Sequence, residues 1–369
     1  MPPLTGFTVA VTAERRQAEF ADLLRRRGAR VVCASTLGTE FVDEPHIEEE
    51  TRAFLDGGHD VFVVTTGAGF TTWLQIADGL GIGAALRRAL AEAPIITRGA
   101  KARGAVRAAG LHEAWSAPSE TMAELVDHLL AEGVEGRRIA VQAHGDPDDP
   151  ELERLRDAGA RLQVVVVYRW GPPRDRDRAR RLVQAVATGT IDALTFTSQP
   201  AVGGFLQIAE ESGLGERVAA ELRSNVVVAC IGPVCAAPLA AKEIPAVYPQ
   251  RARLGDLVRL LTDVVPERRA ICAKIGGGVL EVRGHGFVWN GAFHPLPPAP
   301  TVLARTLVAN AGRVVSRAEL AKVLNCPPGS RGVEMAVARL RRALPDPSFV
   351  QVVIKRGYRI RTDGVEYES

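Results

Sequence analysis

The feature that most constrains this chain is a repeat within its first 262 residues. Gly28-Ala29-Arg30 returns as Gly159-Ala160-Arg161 after 131 positions, and Leu74-Gln75-Ile76-Ala77 returns as Leu206-Gln207-Ile208-Ala209 after 132. Gly99 matches Gly232 at an offset of 133, and Leu125 matches Leu257 at 132. A near-constant offset over this length points to two copies of one structural unit. Each copy reads as a β run (8–11; 139–141), an amphipathic helix ending at Gly28 or Gly159, and a further β run. An apolar strand (60–65; 192–196) then runs into a small-residue turn and a helix. Alternation of this kind predicts an α/β fold of two lobes built on parallel sheets, with a cleft between them.

Length and charge separate this part from the rest. At 369 residues the chain exceeds one ordinary core and divides into two or three domains. A hydrophobic content of 46% with 24% charged residues is that of a globular protein, and no apolar run is long enough to span a bilayer. The N-terminal stretch brings in Glu14, Arg15 and Arg16 early and lacks a secretory pattern, so a cytoplasmic location and no membrane partner are expected. The five cysteines are scattered and form no C-x-x-C pair, which argues against a disulfide framework or a zinc site. The net charge of +3 is unevenly spread. From Gly276 onward there are 13 Lys and Arg against 7 Asp and Glu, whereas residues 1–275 carry 33 against 36. The basic tail is therefore the part suited to phosphate contacts.

At the strand ends of the two copies stand Thr65-Thr66-Gly67 and Thr197-Ser198. Hydroxyls and helix-start N–H groups at such turns can hold an anionic ligand; Thr66 or Ser198 alone reads as an ordinary N-cap, but the same feature at both matching positions points to a ligand-facing role. Arg98, Lys101 and Arg103 flank the Gly99 turn and could add positive charge to a ligand site or sit on a solvated helix start. His144 lies beside a matching turn but has no spaced partner histidines, so no metal is expected.

The run Asp192-Ala-Leu-Thr-Phe-Thr-Ser-Gln-Pro-Ala-Val-Gly-Gly-Phe205, with Ile231-Gly232-Pro233 and Val165-Val166-Val167-Tyr168-Arg169, resembles uroporphyrinogen-III synthase over roughly residues 5–262. The resemblance implies two α/β lobes, discontinuous in sequence: 1–37 with 171–262, and 38–170. It also implies a tetrapyrrole ligand and no metal or organic cofactor. Tyr168 matches the family tyrosine implicated in ring closure, and Ser198 matches a hydroxyl near the substrate's acetate and propionate groups. Thr66, Arg98, Lys101, His144, Thr197 and Gly232 are the further ligand-binding candidates. The chain departs from the family pattern at Ala13, Ala102 and Cys235, and at Gln142-Ala143-His144-Gly145, where hydrogen-bond donors are usual. A polycarboxylate needs such donors, so these departures favour sensing over turnover.

Residues 263–277 contain Pro-Glu-Arg-Arg-Ala and Gly276-Gly277-Gly278 and read as a linker. Short β runs follow at 279–282 and 286–289, with Asn290-Gly291 suited to a type I′ turn. Helices are expected at 301–310 and 316–324, the second opened by a Ser316/Glu319 capping box, and at 332–344. A hairpin is expected at 349–354 and 358–361. A short helix, a turn and an arginine-bearing helix can enter a major groove, and a basic hairpin can reach an adjacent minor groove. In order, these elements resemble the winged-helix output domain of the OmpR/PhoB class over roughly residues 278–362. That resemblance rests on Arg313-Val-Val-Ser-Arg317, Arg339-Leu-Arg341 and Gly357-Tyr358-Arg359. It implies double-stranded DNA as partner, with Arg331, Ala338, Arg339, Arg341, Arg342, Lys355 and Arg356 facing it. The family's Arg-Gly-x-Gly-Tyr wing appears here as Ile354-Lys355-Arg356-Gly357-Tyr358, without the first glycine.

The fusion resembles actinobacterial regulators in which such a module precedes a winged helix, some tied to nitrate and nitrite assimilation. Two readings follow. The first is a transcriptional regulator that senses a small anionic ligand or tetrapyrrole and dimerises on DNA. The second is an active uroporphyrinogen-III synthase with a regulatory DNA-binding tail.

Overall fold

The computed structural model describes residues 1–145, 149–327 and 330–362. The chain forms two compact units, Met1–Leu37 with Arg174–Ser369, and Gly38–Pro173. In chain order the strands of the α/β part are β1 (Thr8–Val11), β2 (Arg30–Cys33), β3 (Gly38–Phe41), β4 (Val61–Val64), β5 (Ile95–Thr97), β6 (Glu113–Ser116), β7 (Arg138–Gly145), β8 (Arg161–Gly171), β9 (Ala193–Phe196), β10 (Val227–Cys230) and β11 (Ala246–Val247).

The sheet of the Gly38–Pro173 unit has the order β3-β8-β7-β4-β5-β6 and is parallel except for β3, which pairs antiparallel with β8. The α/β sheet of the other unit has the order β2-β1-β9-β10-β11 and is parallel throughout. The sequence repeat makes β7 and β8 the counterparts of β1 and β2, and β9 and β10 the counterparts of β4 and β5. The two sheets therefore have one strand order, and each is assembled from both copies: the opening strands of the first copy complete the sheet of the second, and the reverse. Central strands β4 and β9 are buried at every position, as strands covered by helices on both faces must be, which explains their unbroken apolar runs.

The winged-helix domain starts earlier than the sequence suggests. The helix Leu254–Arg269 passes directly into β12 (Ile271–Ile275), so the stretch read as a linker holds the end of a helix and a whole strand. Ala273 and Ile275 are buried while Cys272 and Lys274 are exposed, a period of two that places one strand face on the core. Gly276 (φ 56°) and Gly277 (φ 76°) close a hairpin into β13 (Gly278–Arg283) rather than loosening a junction. With β14 (Gly286–Trp289) and β15 (Ala292–Pro295) these strands form a four-stranded antiparallel sheet. Asn290 and Gly291 both have positive φ (50° and 78°) at the β14–β15 turn, as a type I′ turn requires.

Helices Pro298–Ala309, Arg317–Val323 and Gly332–Ala343 follow, and Ser316 and Glu319 form the expected capping box. Strands β16 (Val350–Val353) and β17 (Gly357–Ile360) make the wing, and Val315 pairs with Tyr358 at its base. One core unites these elements, with Leu280, Phe287, Leu303, Leu320, Val337 and Leu340 among its buried members.

Within its unit this domain is fastened to the α/β lobe. At the β13–β14 turn the Arg283 guanidinium donates to the carbonyls of Thr5 (2.6 Å) and Pro3 (3.2 Å) and lies over the Phe7 ring. The His285 N–H donates to the Gly6 carbonyl at 3.0 Å. Buried Asp192, just ahead of β9, accepts from the Thr8 N–H at 2.8 Å, and its carboxylate lies 3.6 Å from Arg269 Nε.

Candidate functional site

In the Gly38–Pro173 unit the ends of β4, β5, β7 and β8 bring several of the expected residues together. Thr66 is the N-cap of helix Gly67–Gly79, its Oγ1 accepting from the Gly69 N–H at 3.2 Å. The same oxygen accepts from the Tyr168 hydroxyl at 3.2 Å, so the cap and the candidate tyrosine share one atom. Buried Gln142 completes this corner: its Oε1 accepts from the Thr66 N–H and its Nε2 donates to the Ala143 carbonyl. Gly67 and Gly69 allow the helix to start so low, since a Cβ would stand 2.3 Å from the Lys101 carbonyl oxygen at the first and 2.3 Å from Gln142 Nε2 at the second.

Arg98 is half-buried beside this corner. Burial pushes its guanidinium below the ordinary value, opposed by Tyr168, Asp149 and Glu120. Lys101 and Arg103 are exposed on helix Ala100–Ala108. Glu120 was not foreseen: its carboxylate reaches the Ala100 N–H at 3.4 Å, so the start of this helix already holds an anion supplied by the chain itself. Buried Thr97 Oγ1 has no hydrogen-bond partner among the described residues. His144 stands in β7, and its side chain lies outside what is described.

The matching corner of the other unit is more open. Ser198 is the N-cap residue of helix Gln199–Glu211 but makes no capping hydrogen bond, and Thr197 beside it is half-buried. Gly232 is the N-cap residue of helix Pro233–Ala240. Nearby Cys230 and Cys235 are buried thiols; a hydrogen bond that the Cys230 thiol donates to Cys235, together with burial, pushes Cys230 up, which suits packing rather than reactivity. At the ends of β1 and β2 a cavity of about 160 Å³ is lined by Glu14, Gln17, Cys33, Ser35, Arg174 and Arg178, none of which sequence reasoning singled out. No group of three His, Cys, Asp or Glu able to hold a metal ion occurs among the described residues, and no helix there is long and apolar enough to cross a membrane.

The nucleic-acid candidates divide differently. On helix Gly332–Ala343, Val333, Ala336, Val337 and Leu340 face the core, leaving Met335, Ala338, Arg339 and Arg342 exposed along one face, with Arg331 exposed at its N-cap. Arg341 does not belong to that face. Its Nη2 and Nε donate to the Val350 carbonyl at 2.6 and 3.0 Å, so its guanidinium ties the helix to the wing. The guanidinium of Arg341, a residue expected to face DNA, is thus placed on the backbone of β16, which is invisible in a helical projection. Met335, 53% exposed, joins the outward face instead, and its apolar character kept it from notice in a search for cations. Arg317 pairs with Glu334 at 2.7 Å and fixes the preceding helix against this one.

Lys355 and Arg356 are exposed at the wing tip. Lys355 has φ 61°, so it adopts the left-handed conformation for which the missing glycine would be suited, and Gly357 (φ 139°) has no room for a Cβ, which would stand 2.1 Å from the Val315 carbonyl oxygen. A non-glycine residue in that conformation costs about 1–2 kcal/mol, partly offset by glycine's greater chain entropy. Lys355→Gly is therefore expected to stabilise the chain by about 0.5–1 kcal/mol in thermal unfolding. A loss of stability would instead assign Lys355 a stabilising contact in the free protein.

Comparison with known proteins agrees with this architecture. Residues 18–259 match the family model described as uroporphyrinogen-III synthase HemD, and residues 294–360 match that of the transcriptional regulatory protein, C terminal. The Bacillus subtilis (strain 168) protein YjjA is 24% identical over 266 residues, covering 72% of this chain and 98% of YjjA. A crystal structure of a variant uroporphyrinogen III synthase from the extremely thermophilic bacterium Thermus thermophilus superposes with a TM-score of 0.60 at 27% identity, covering 69% of this chain and 97% of that one. A second crystal form, of the wild-type Thermus enzyme, gives a TM-score of 0.50 at 28% identity, with 69% and 96% covered. With its paired α/β sheets and a winged-helix DNA-binding domain behind them, the chain belongs to the uroporphyrinogen-III synthase HemD family.

Proposed function

We propose that this protein is a transcriptional regulator that binds double-stranded DNA through its winged helix and a small anionic ligand or tetrapyrrole through its synthase-like module. The observation that carries the DNA half is the outward face of helix Gly332–Ala343, where Arg331, Arg339 and Arg342 are exposed around Met335 and Ala338. Guanidinium groups read guanine edges and phosphates, and apolar side chains meet thymine methyl groups. The ligand half rests on the Thr66, Tyr168 and Arg98 corner. Sensing is favoured over turnover because Glu120 occupies the helix start at which a substrate carboxylate would otherwise be received. Dimer formation on paired half-sites and control of nitrate and nitrite assimilation belong to the same proposal.

The second reading, an active synthase, is favoured by one contact: the Tyr168 hydroxyl held on Thr66 at the end of the sheet. One experiment on the full chain separates the two. Binding to duplex DNA from its own upstream region, weakening steeply with salt, together with no type III isomer from hydroxymethylbilane, is the expected result. Isomer formation at enzymatic rates would establish the synthase, and salt-insensitive or absent DNA binding would remove the regulator.

A further inference from the structure

The winged-helix domain buries its core well, yet the end of its wing is apolar. Ile354 is 81% exposed, and Val352, two residues before it on the same hairpin, is 54% exposed. Lys355 and Arg356 follow immediately, both exposed, and Lys355 is held in the left-handed conformation that turns the chain at this point. The hairpin is not a loose tongue. Val315 pairs with Tyr358 in both directions (2.8 and 3.0 Å), Arg359 donates to Gln351 across the strands, and Arg341 anchors β16 to the outward-facing helix. A braced hairpin thus carries a bare β-branched side chain immediately ahead of two exposed cations.

We propose that Ile354 is a DNA-contacting residue that enters the minor groove as an apolar wedge, with the adjacent Lys355 and Arg356 neutralising nearby phosphates. This rests on the DNA-binding reading above and names how the wing contributes to it. Charge complementarity selects the occupant: an apolar residue followed by two cations suits the floor of a groove lined by phosphates, where isoleucine carries no hydrogen-bond code but can wedge against a base step. Such a contact discriminates by deformability, favouring flexible pyrimidine–purine steps such as TA over stiffer G·C-rich ones, rather than by reading base edges.

The test uses the full chain and duplexes that it selects from a random pool, varied only at the step under the wing. Ile354→Ala is expected to weaken binding to the TA-containing duplex about tenfold, to flatten the preference between TA and G·C steps, and to leave the salt dependence unchanged. Lys355→Ala and Arg356→Ala should each lower the salt slope by about one while keeping the step preference. Because Ile354 is exposed, the variant should fold, and an unchanged unfolding midpoint checks that it does. Unaltered affinity and step preference in Ile354→Ala would overturn the proposal. So would a variant that keeps its DNA affinity but no longer self-associates, since the tip would then serve a contact between copies. A wild-type chain that selects no duplex would instead overturn the DNA-binding reading itself, and the wedge with it.

Discussion

Asp192→Ala should destabilise the chain by about 3–5 kcal/mol, the loss expected when one partner of a buried ion pair is removed. Asp192 is 3% exposed at the seam between the α/β lobe and the winged-helix domain. Its carboxylate serves both sides of that seam: the Thr8 N–H from the lobe, and Arg269, whose carbonyl in turn accepts from Arg305 Nη1 at 3.1 Å. Burial pushes the carboxyl up, while the Thr8 N–H, Arg269, Arg305 and His285 pull it down. Burial also pushes Arg305 down, and neighbouring Arg269 acts in the same sense. Without the carboxylate two close cations would remain in a dry seam. The effect would be read as a lower urea midpoint for the transition of the Met1–Leu37 and Arg174–Ser369 unit. Asp192→Asn, which keeps an acceptor for Thr8, should lose less. A loss below about 1 kcal/mol for the alanine variant would mean that the arginines find water without the seam opening.

The second large effect is on DNA. Replacing Arg339 and Arg342 together by alanine is expected to weaken specific binding by a hundredfold or more, about 1–3 kcal/mol for each lost guanidinium contact to a base. Both side chains are exposed and stand off the domain core, so thermal stability should move by no more than about 0.5 kcal/mol for each. Arg341→Ala should behave in the opposite way, lowering stability by undoing the two bonds to the Val350 carbonyl. Gel-shift titration beside thermal unfolding of both variants distinguishes them. A double variant that still binds like the wild type would place the reading face elsewhere.

Much of the fold could be read from residues alone, for local reasons. Ser316 and Glu319 are a self-contained cap, Asn290-Gly291 dictates its own turn, and a constant offset needs no knowledge of packing. The failures share the opposite cause. Whether Gly276-Gly277 loosens a linker or closes a hairpin depends on β13 being there to pair with β12. The orientation of Arg341 depends on Val350, nine positions away in a different element. Glu120 comes to the start of helix Ala100–Ala108 from twenty residues beyond it, across β6, and no motif announces such a visitor. At the ends of β4 and β8, Thr66 and Tyr168 can each be picked out as residues, but their sharing of one oxygen is tertiary information.

The exchange of strands between the two sequence copies also sets an order for synthesis. β1 and β2 leave the ribosome first, but their sheet stays incomplete until β9, β10 and β11 have been made. Gly38–Pro173 can close on itself in the meantime, because every strand of its sheet lies within that span. The interior of the sequence is thus the first part able to fold on the nascent chain, with the opening segment waiting as an unpaired arm. A chain arrested near residue 173 would carry one finished lobe and two orphan strands.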